Sequence, residues 1–209
     1  LSCWYNATDI KDPEERQLMS AMRQGGQNMG ATLVAFAESA AKKGDTSTAV
    51  KFFNSAIARD PNNWFVYWRY GEYFRHVEKS TAQSITMYES ALKYSKNEKI
   101  TSQIATMHRE FAMIYGNSGR PNANARAIEH FEIAHNNMPN DPICAKGLAI
   151  QYEKKGNTTA IVELLEPFRL SKDKKTRSLL LPILCRAYES DSTKYMLQLS
   201  ELKREMQDN

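Results

Sequence analysis

From Ala49 to Phe74 the apolar and small positions follow a helical period rather than an alternating one. Ala49, Phe53 and Ala56 fall on one face of a helix, at spacings of four and three. Asp60-Pro61 ends that helix, because proline disfavours helical geometry in the residue before it. A second helix begins at Trp64, with Tyr67, Tyr70, Gly71 and Phe74 on one side. Large residues fill the space between helices, while Ala49, Ala56 and Gly71 let backbones approach closely. The pattern predicts a helical hairpin whose neighbours stack on it.

The hairpin recurs. Phe53-x-x-Ala56, Tyr88-x-x-Ala91 and Phe131-x-x-Ala134 repeat one aromatic-then-small pair, and Ala49, Ser84 and Ala127 each stand four residues before the aromatic. Ala56 to Gly71 and Ala134 to Ala149 are both fifteen residues, and Pro61 and Pro139 each follow the alanine of their pair by five. With these residues in place the chain resembles the tetratricopeptide repeat family, whose unit is a helix-turn-helix of about 34 residues. The resemblance covers roughly Gly30 to Phe168. It implies an all-α, right-handed superhelix of stacked helix-turn-helix repeats with capping helices.

The expected organisation is an N-terminal segment and capping helix over residues 1–29, four repeats over 30–170, and closing helices over 171–209. Asp12-Pro13-Glu14-Glu15 starts the capping helix, with Leu18, Met19 and Met22 as its stripe and Gly25-Gly26 as its stop. Gly44-Asp45 and Gly156-Asn157 are interhelical turns, whereas the turn around Val77 to Ser80 lacks glycine. The third repeat departs most, with about six extra residues around Tyr94 to Gln103 and a longer turn at Gly116–Pro121. The fourth repeat starts near Pro142, and Pro167 shortens its second helix, Ala160 to Phe168. Lys172 to Arg177 reads as a charged connector, and Pro182 as a first-turn residue or a kink in the helix that follows. The last helix carries a stripe of Tyr195, Met196, Leu199, Leu202 and Met206, suited to closing the open end of a stack or to binding a partner.

Composition changes little in this picture. The 209 residues are 42% hydrophobic and 25% charged, with a formal net charge of +4, an ordinary balance for a globular chain. No apolar run approaches the roughly 20 residues of a membrane span, and residues 1 to 24 hold no secretory core. Cys3, Cys144 and Cys185 lack the paired spacing of a disulfide framework or zinc site, and Cys144 and Cys185, in apolar helical surroundings, read as small buried hydrophobes in a reducing compartment. A cytoplasmic location is therefore expected. Asn6-Ala-Thr8 and Asn157-Thr-Thr159 match a glycosylation triplet too common to carry weight. Leu1 is not an initiator methionine, which raises the expectation of a piece cut from a longer protein.

In the family that the chain resembles, the first helices of successive repeats line a concave groove that holds ligands. On that basis the groove candidates are Trp68, Arg69, Glu72, Arg75 and His76 in the second repeat. The third supplies Arg109, Glu110 and Met113, and the fourth Lys146, Ile150 and Lys154. Basic residues slightly outnumber acidic ones, and Trp68 offers a flat apolar surface, which points to a protein or peptide partner of acidic character. Val34 and Glu38 occupy places where the chaperone-carboxylate binders of this family carry lysine and asparagine, so that activity is not expected. No cofactor or metal is implied. His130 and His135 are five apart and turn to opposite sides of a helix, and His108 and Glu110, two apart, do not face each other. No nucleophile motif is present, and the chain reads as non-enzymatic. Two other readings stand beside the protein-binding one. One is RNA or DNA binding through Tyr94–Lys99 and the Lys172–Arg177 connector, with glutamates interrupting each basic run. The other is a regulatory or oligomerising arm of a larger NTPase or effector protein.

Overall fold

The computed structural model describes residues 29–207. The capping helix expected over Asp12 to Gln24, the residues before it and Cys3 lie outside the described residues. Those described form ten α-helices and one short 3-10 turn, with no strand among them. They fall into two units, one ending at Glu98 and one starting at Lys99. The division lies inside the stretch where the third repeat has its extra residues.

Unit 1 contains α1 (Met29–Lys42), α2 (Thr46–Arg59), α3 (Trp64–His76) and α4 (Thr81–Ser95). α1 pairs with α2 and α3 with α4, and α3 also lies against α1 and α2. The core is built from Leu33, Phe36, Ala37, Phe53, Ala56, Val66 and Tyr70. The Phe53 ring lies on Tyr70 with centroids 4.5 Å apart, and Tyr70 stacks in turn on Phe74 at 4.5 Å. Tyr88 of α4 is fully buried. A Cβ added at Gly71 would meet its ring at 2.9 and 3.1 Å, so glycine is what lets α3 and α4 close around that tyrosine.

Unit 2 contains α5 (Ser102–Tyr115), α6 (Ala123–Asn137), α7 (Pro142–Lys154) and α8 (Thr158–Leu165). It continues through a 3-10 turn, Glu166–Phe168, to α9 (Lys174–Ser190) and α10 (Met196–Gln207). α6 packs against both α5 and α7, α9 against α7 and α8, and α10 against α9. Phe131, Ala134, Ala145, Leu148, Leu165, Leu180 and Leu184 lie at its centre. The fully buried Phe131 ring occupies the space that a side chain on Gly147 would need. It is at this glycine that the ring of α6 lies against the α7 backbone.

The turns share one device. The interhelical turns of the four hairpins each place a residue in the left-handed region: Gly44 at φ 80°, Lys79 at 56°, Gly119 at 69° and Gly156 at 68°. After Gly44 and Gly156 the next residue does two jobs. The amides of Asp45 and Asn157 return to Ala40 and Tyr152 at 2.9 and 3.0 Å, while their side chains cap the following helix. The second hairpin does without both features, since Lys79 carries a side chain and Ser80 makes no side-chain cap bond.

The C-terminal region differs from the sequence reading in three places. Lys174 to Arg177 is the first turn of α9, capped by Asp173, because an Asp followed by Lys-Lys-Thr is a helix start as much as a charged loop. Pro182 stands inside α9 rather than in its opening turn. Tyr195, Leu199 and Leu202 face inward, but Met196 and Met206 are 68% and 41% exposed. The inward face of α10 is narrower than its apolar stripe. Pro167, which lacks an amide hydrogen, accounts for the change from α8 to a 3-10 turn.

Two stability predictions follow from these contacts. In an ordinary helix interior Gly→Ala stabilises by up to about 1 kcal/mol, but at Gly147 the buried Phe131 ring cannot yield. Gly147→Ala is therefore expected to destabilise unit 2 by about 1–3 kcal/mol in denaturant melts. Lys79→Gly is expected to stabilise unit 1 by about 0.5–1 kcal/mol, since it removes left-handed strain.

Candidate partner-binding faces

In unit 1 the candidates lie on α3. Trp68 is buried, 7% exposed, against Trp64 and Phe65, with ring centroids at 6.1 and 5.9 Å. It is not the flat exposed surface expected from sequence, because aromatic neighbours three and four residues before it share its side of the helix. Its indole nitrogen finds no acceptor among the described residues. Arg69 lies over the Trp68 ring at 5.3 Å and bonds Glu38 of α1 at 2.6 Å. Glu38 thus neutralises the first of the expected groove cations. Glu72 accepts from the Tyr88 hydroxyl and lies 3.8 Å from Arg75 and 3.4 Å from His76. Burial and the Glu72 carboxylate hold the Tyr88 phenol well above its usual range. His76 is the most exposed of the five.

In unit 2 the candidates lie on α5 and α7. Arg109 donates to Glu110 at 2.7 Å and also to Asp141, the residue that caps α7. The three side chains are 14–17% exposed, so this cluster ties α5 to the start of α7 before it presents charge to a partner. Lys154 donates to the Gly116 carbonyl at 3.1 Å and to Asn117 at 3.3 Å, closing the C-terminal end of α5. Met113 packs partly into the core. Lys146 and Ile150 are half-buried, and Lys146 enters none of the ion pairs among the described residues. Ile143, not singled out in the sequence, is 47% exposed three residues before Lys146 on the same side of α7. Its apolar-basic spacing with Lys146 and Ile150 was the signal that could have found it.

The histidines of unit 2 are turned partly inward. His108 of α5 meets His130 of α6, with Nδ1 to Nδ1 at 2.8 Å, across the hairpin rather than along either helix. Burial lowers both, to about 4 for His108 and about 3 for His130, where the neighbouring imidazole and Arg126 add to the effect. His135 is also lowered by burial, partly offset by Asp141. Burial pushes the Cys144 thiol up to about 12, which makes it an inert core group that donates to the Phe131 carbonyl at 3.5 Å. Cys185 is half-buried, less enclosed than expected, with Glu189 3.8 Å from its sulfur. No described helix is long and apolar enough to cross a membrane.

No protein-family model matches the chain, and no curated protein matches it in sequence. Solved structures do match. PilF of Pseudomonas aeruginosa superposes with a TM-score of 0.64 at 17% identity, over 90% of this chain and 83% of that one. PilW, a type IV pilus biogenesis factor, gives 0.58 at 15%, over 97% and 90%. Yeast Tom70 gives 0.66 at 13%, over 93% of this chain but only 39% of its own. All three are tetratricopeptide-repeat proteins. The class defined by the hairpins, their left-handed turns and these likenesses is the all-α helical repeat, and the chain has a tetratricopeptide-like fold.

Proposed function

We propose that this chain is a non-catalytic protein-interaction module that holds a peptide or protein segment on the outward side of its first helices, with unit 2 making the main contact. The observation that carries this reading is the stripe on α7, where Ile143, Lys146 and Ile150 share one side and stay partly accessible. The neighbouring helix α5 adds Met113 and the Arg109 cluster. Apolar anchors beside a cation fit a segment with an apolar residue next to a carboxylate. The acidic preference rests on Lys146, because Arg69 and Arg109 are engaged by carboxylates of the chain itself.

The likeness to PilF, PilW and Tom70 supports a scaffold of this class at the level of fold. The inward-turned histidines and the inert Cys144 thiol favour binding over catalysis. Lys146→Glu combined with Ile150→Asp changes the stripe without breaking a core contact or an ion pair. In a quantitative pull-down from the native source, the double variant is expected to recover the principal partner at least tenfold more weakly, about 1.4 kcal/mol, with unaltered melting. Equal recovery would reject this face.

A further inference from the structure

We propose that the His108–His130 contact is a proton-operated latch within unit 2: neutral, it holds α5 against α6, and doubly protonated, it releases that hairpin. This inference does not depend on the partner-binding reading. The contact is local to the hairpin and off the α7 stripe.

The argument begins with the tautomers. At 2.8 Å the two Nδ1 atoms make one hydrogen bond, which needs a hydrogen on one ring and a lone pair on the other. A neutral pair satisfies that with no charge. The His130 ring also packs edge-to-face with Phe111, with centroids 4.7 Å apart and planes at 80°, so the pair is part of the packing between α5 and α6. A first proton keeps a hydrogen bond but places a charge in a largely buried site. A second leaves two N–H groups pointing at one another across 2.8 Å, and the contact becomes repulsive.

The surroundings do not compensate for either proton. On α6, Arg126 lies over the Tyr115 ring at 4.4 Å and opposes charge on His130. On α5, Arg109 follows His108 but is bound to Glu110 and Asp141. From the side of α7, Asp141 acts on His135 and Arg109, while Glu132 of α6 accepts from Tyr152 at 2.7 Å. Among the described residues neither imidazole of the pair bonds a carboxylate.

The sign follows from linkage. Both rings titrate lower in the folded protein than their ordinary 6.5, so the open hairpin binds more protons. Stability from the pair is complete above about pH 6.5 and is lost as pH falls toward 4 and 3. Each extra proton multiplies the opening constant by up to about ten per pH unit, so two give up to about a hundredfold. Unit 1 has only His76 among its described residues, and that side chain is exposed.

The test is amide hydrogen exchange on the full chain from pH 7 to pH 5, corrected for intrinsic exchange rates. Alongside it, the imidazole ring signals of the wild-type protein are titrated by NMR. Protection over residues 102–137 is expected to fall by several hundredfold, an estimate from the same linkage, while α1 and α2 change little. His108→Gln with His130→Gln is expected to remove most of that fall, the remainder belonging to His135. A pH-independent α5–α6 hairpin overturns the latch, as does a double variant that keeps the full fall. If the double variant does not fold at pH 7, the ring titration decides alone. Midpoints below 5 for His108 and His130 support the latch, and midpoints near 6.5 overturn it.

Discussion

An aromatic ring seated against a residue without a side chain is the contact on which the helical stack depends. In unit 1 it is Tyr88 on Gly71, and in unit 2 Phe131 on Gly147. Such a ring contributes a large apolar area, but only where the opposing backbone comes within van der Waals reach. The small residues of the recurring pairs, Ala56 and Ala91 in unit 1 and Ala127 and Ala134 in unit 2, are all fully buried. Helix packing here is set by what is missing from the side chains as much as by what they supply. In unit 1 the left-handed Lys79 then reverses the chain tightly enough for the Tyr88 ring of α4 to reach Gly71 of α3.

Charge plays a different part from the one its position implies. Arginines on the first helices look outward by register, yet Glu38, Glu110 and Asp141 hold Arg69 and Arg109 at 2.6–2.7 Å or closer. The partly exposed Arg69–Glu38 pair adds little stability in water, but it and the more enclosed Arg109 cluster cancel the field that an approaching ligand would feel. What distinguishes the outward side of α7 is therefore its accessible isoleucines and one lysine outside the ion pairs. Under the proposed reading, recognition there depends on shape and apolar contact first, with the lysine selecting register. At the far end of unit 2, Arg169 performs a related structural task. It donates to Glu166 at 3.2 Å, Glu201 at 2.9 Å and Glu205 at 2.7 Å, and so pins α10 where Leu202 alone is a fully buried anchor.

Much of the fold was legible because its signal is local and repeated. The aromatic-small pairs at Phe53, Tyr88 and Phe131 marked second helices, and Gly44-Asp45 and Gly156-Asn157 marked turns that the structure contains. Gly147 escaped because the fifteen-residue interval points to Ala149, and the interval does not tell which small residue receives the ring. Lys79 escaped because a left-handed lysine has no composition signal, although the absence of glycine at that turn was visible. The candidate faces were legible in register but not in state. Which helix side Arg69 and Arg109 occupy follows from periodicity, whereas their distant partners Glu38 and Asp141, 31 and 32 residues away, follow only from how helices lie together. The histidine pair shows the same limit. Comparing His108 with Glu110, or His130 with His135, looks along single helices, and the contact runs across two.

The seating of rings on small residues is tested most directly at Ala134, fully buried and close to Phe131 in sequence. Ala134→Leu adds volume where α6 faces α7 but leaves every polar group intact. Hydrogen exchange on the variant is expected to show α6 and α7 amides opening at least tenfold more readily than in the wild type, the size of an overpacking cost of about 1.4 kcal/mol or more. Exchange over α6 and α7 equal to wild type would contradict the account, because a stack that absorbs leucine there is not held by close backbone approach.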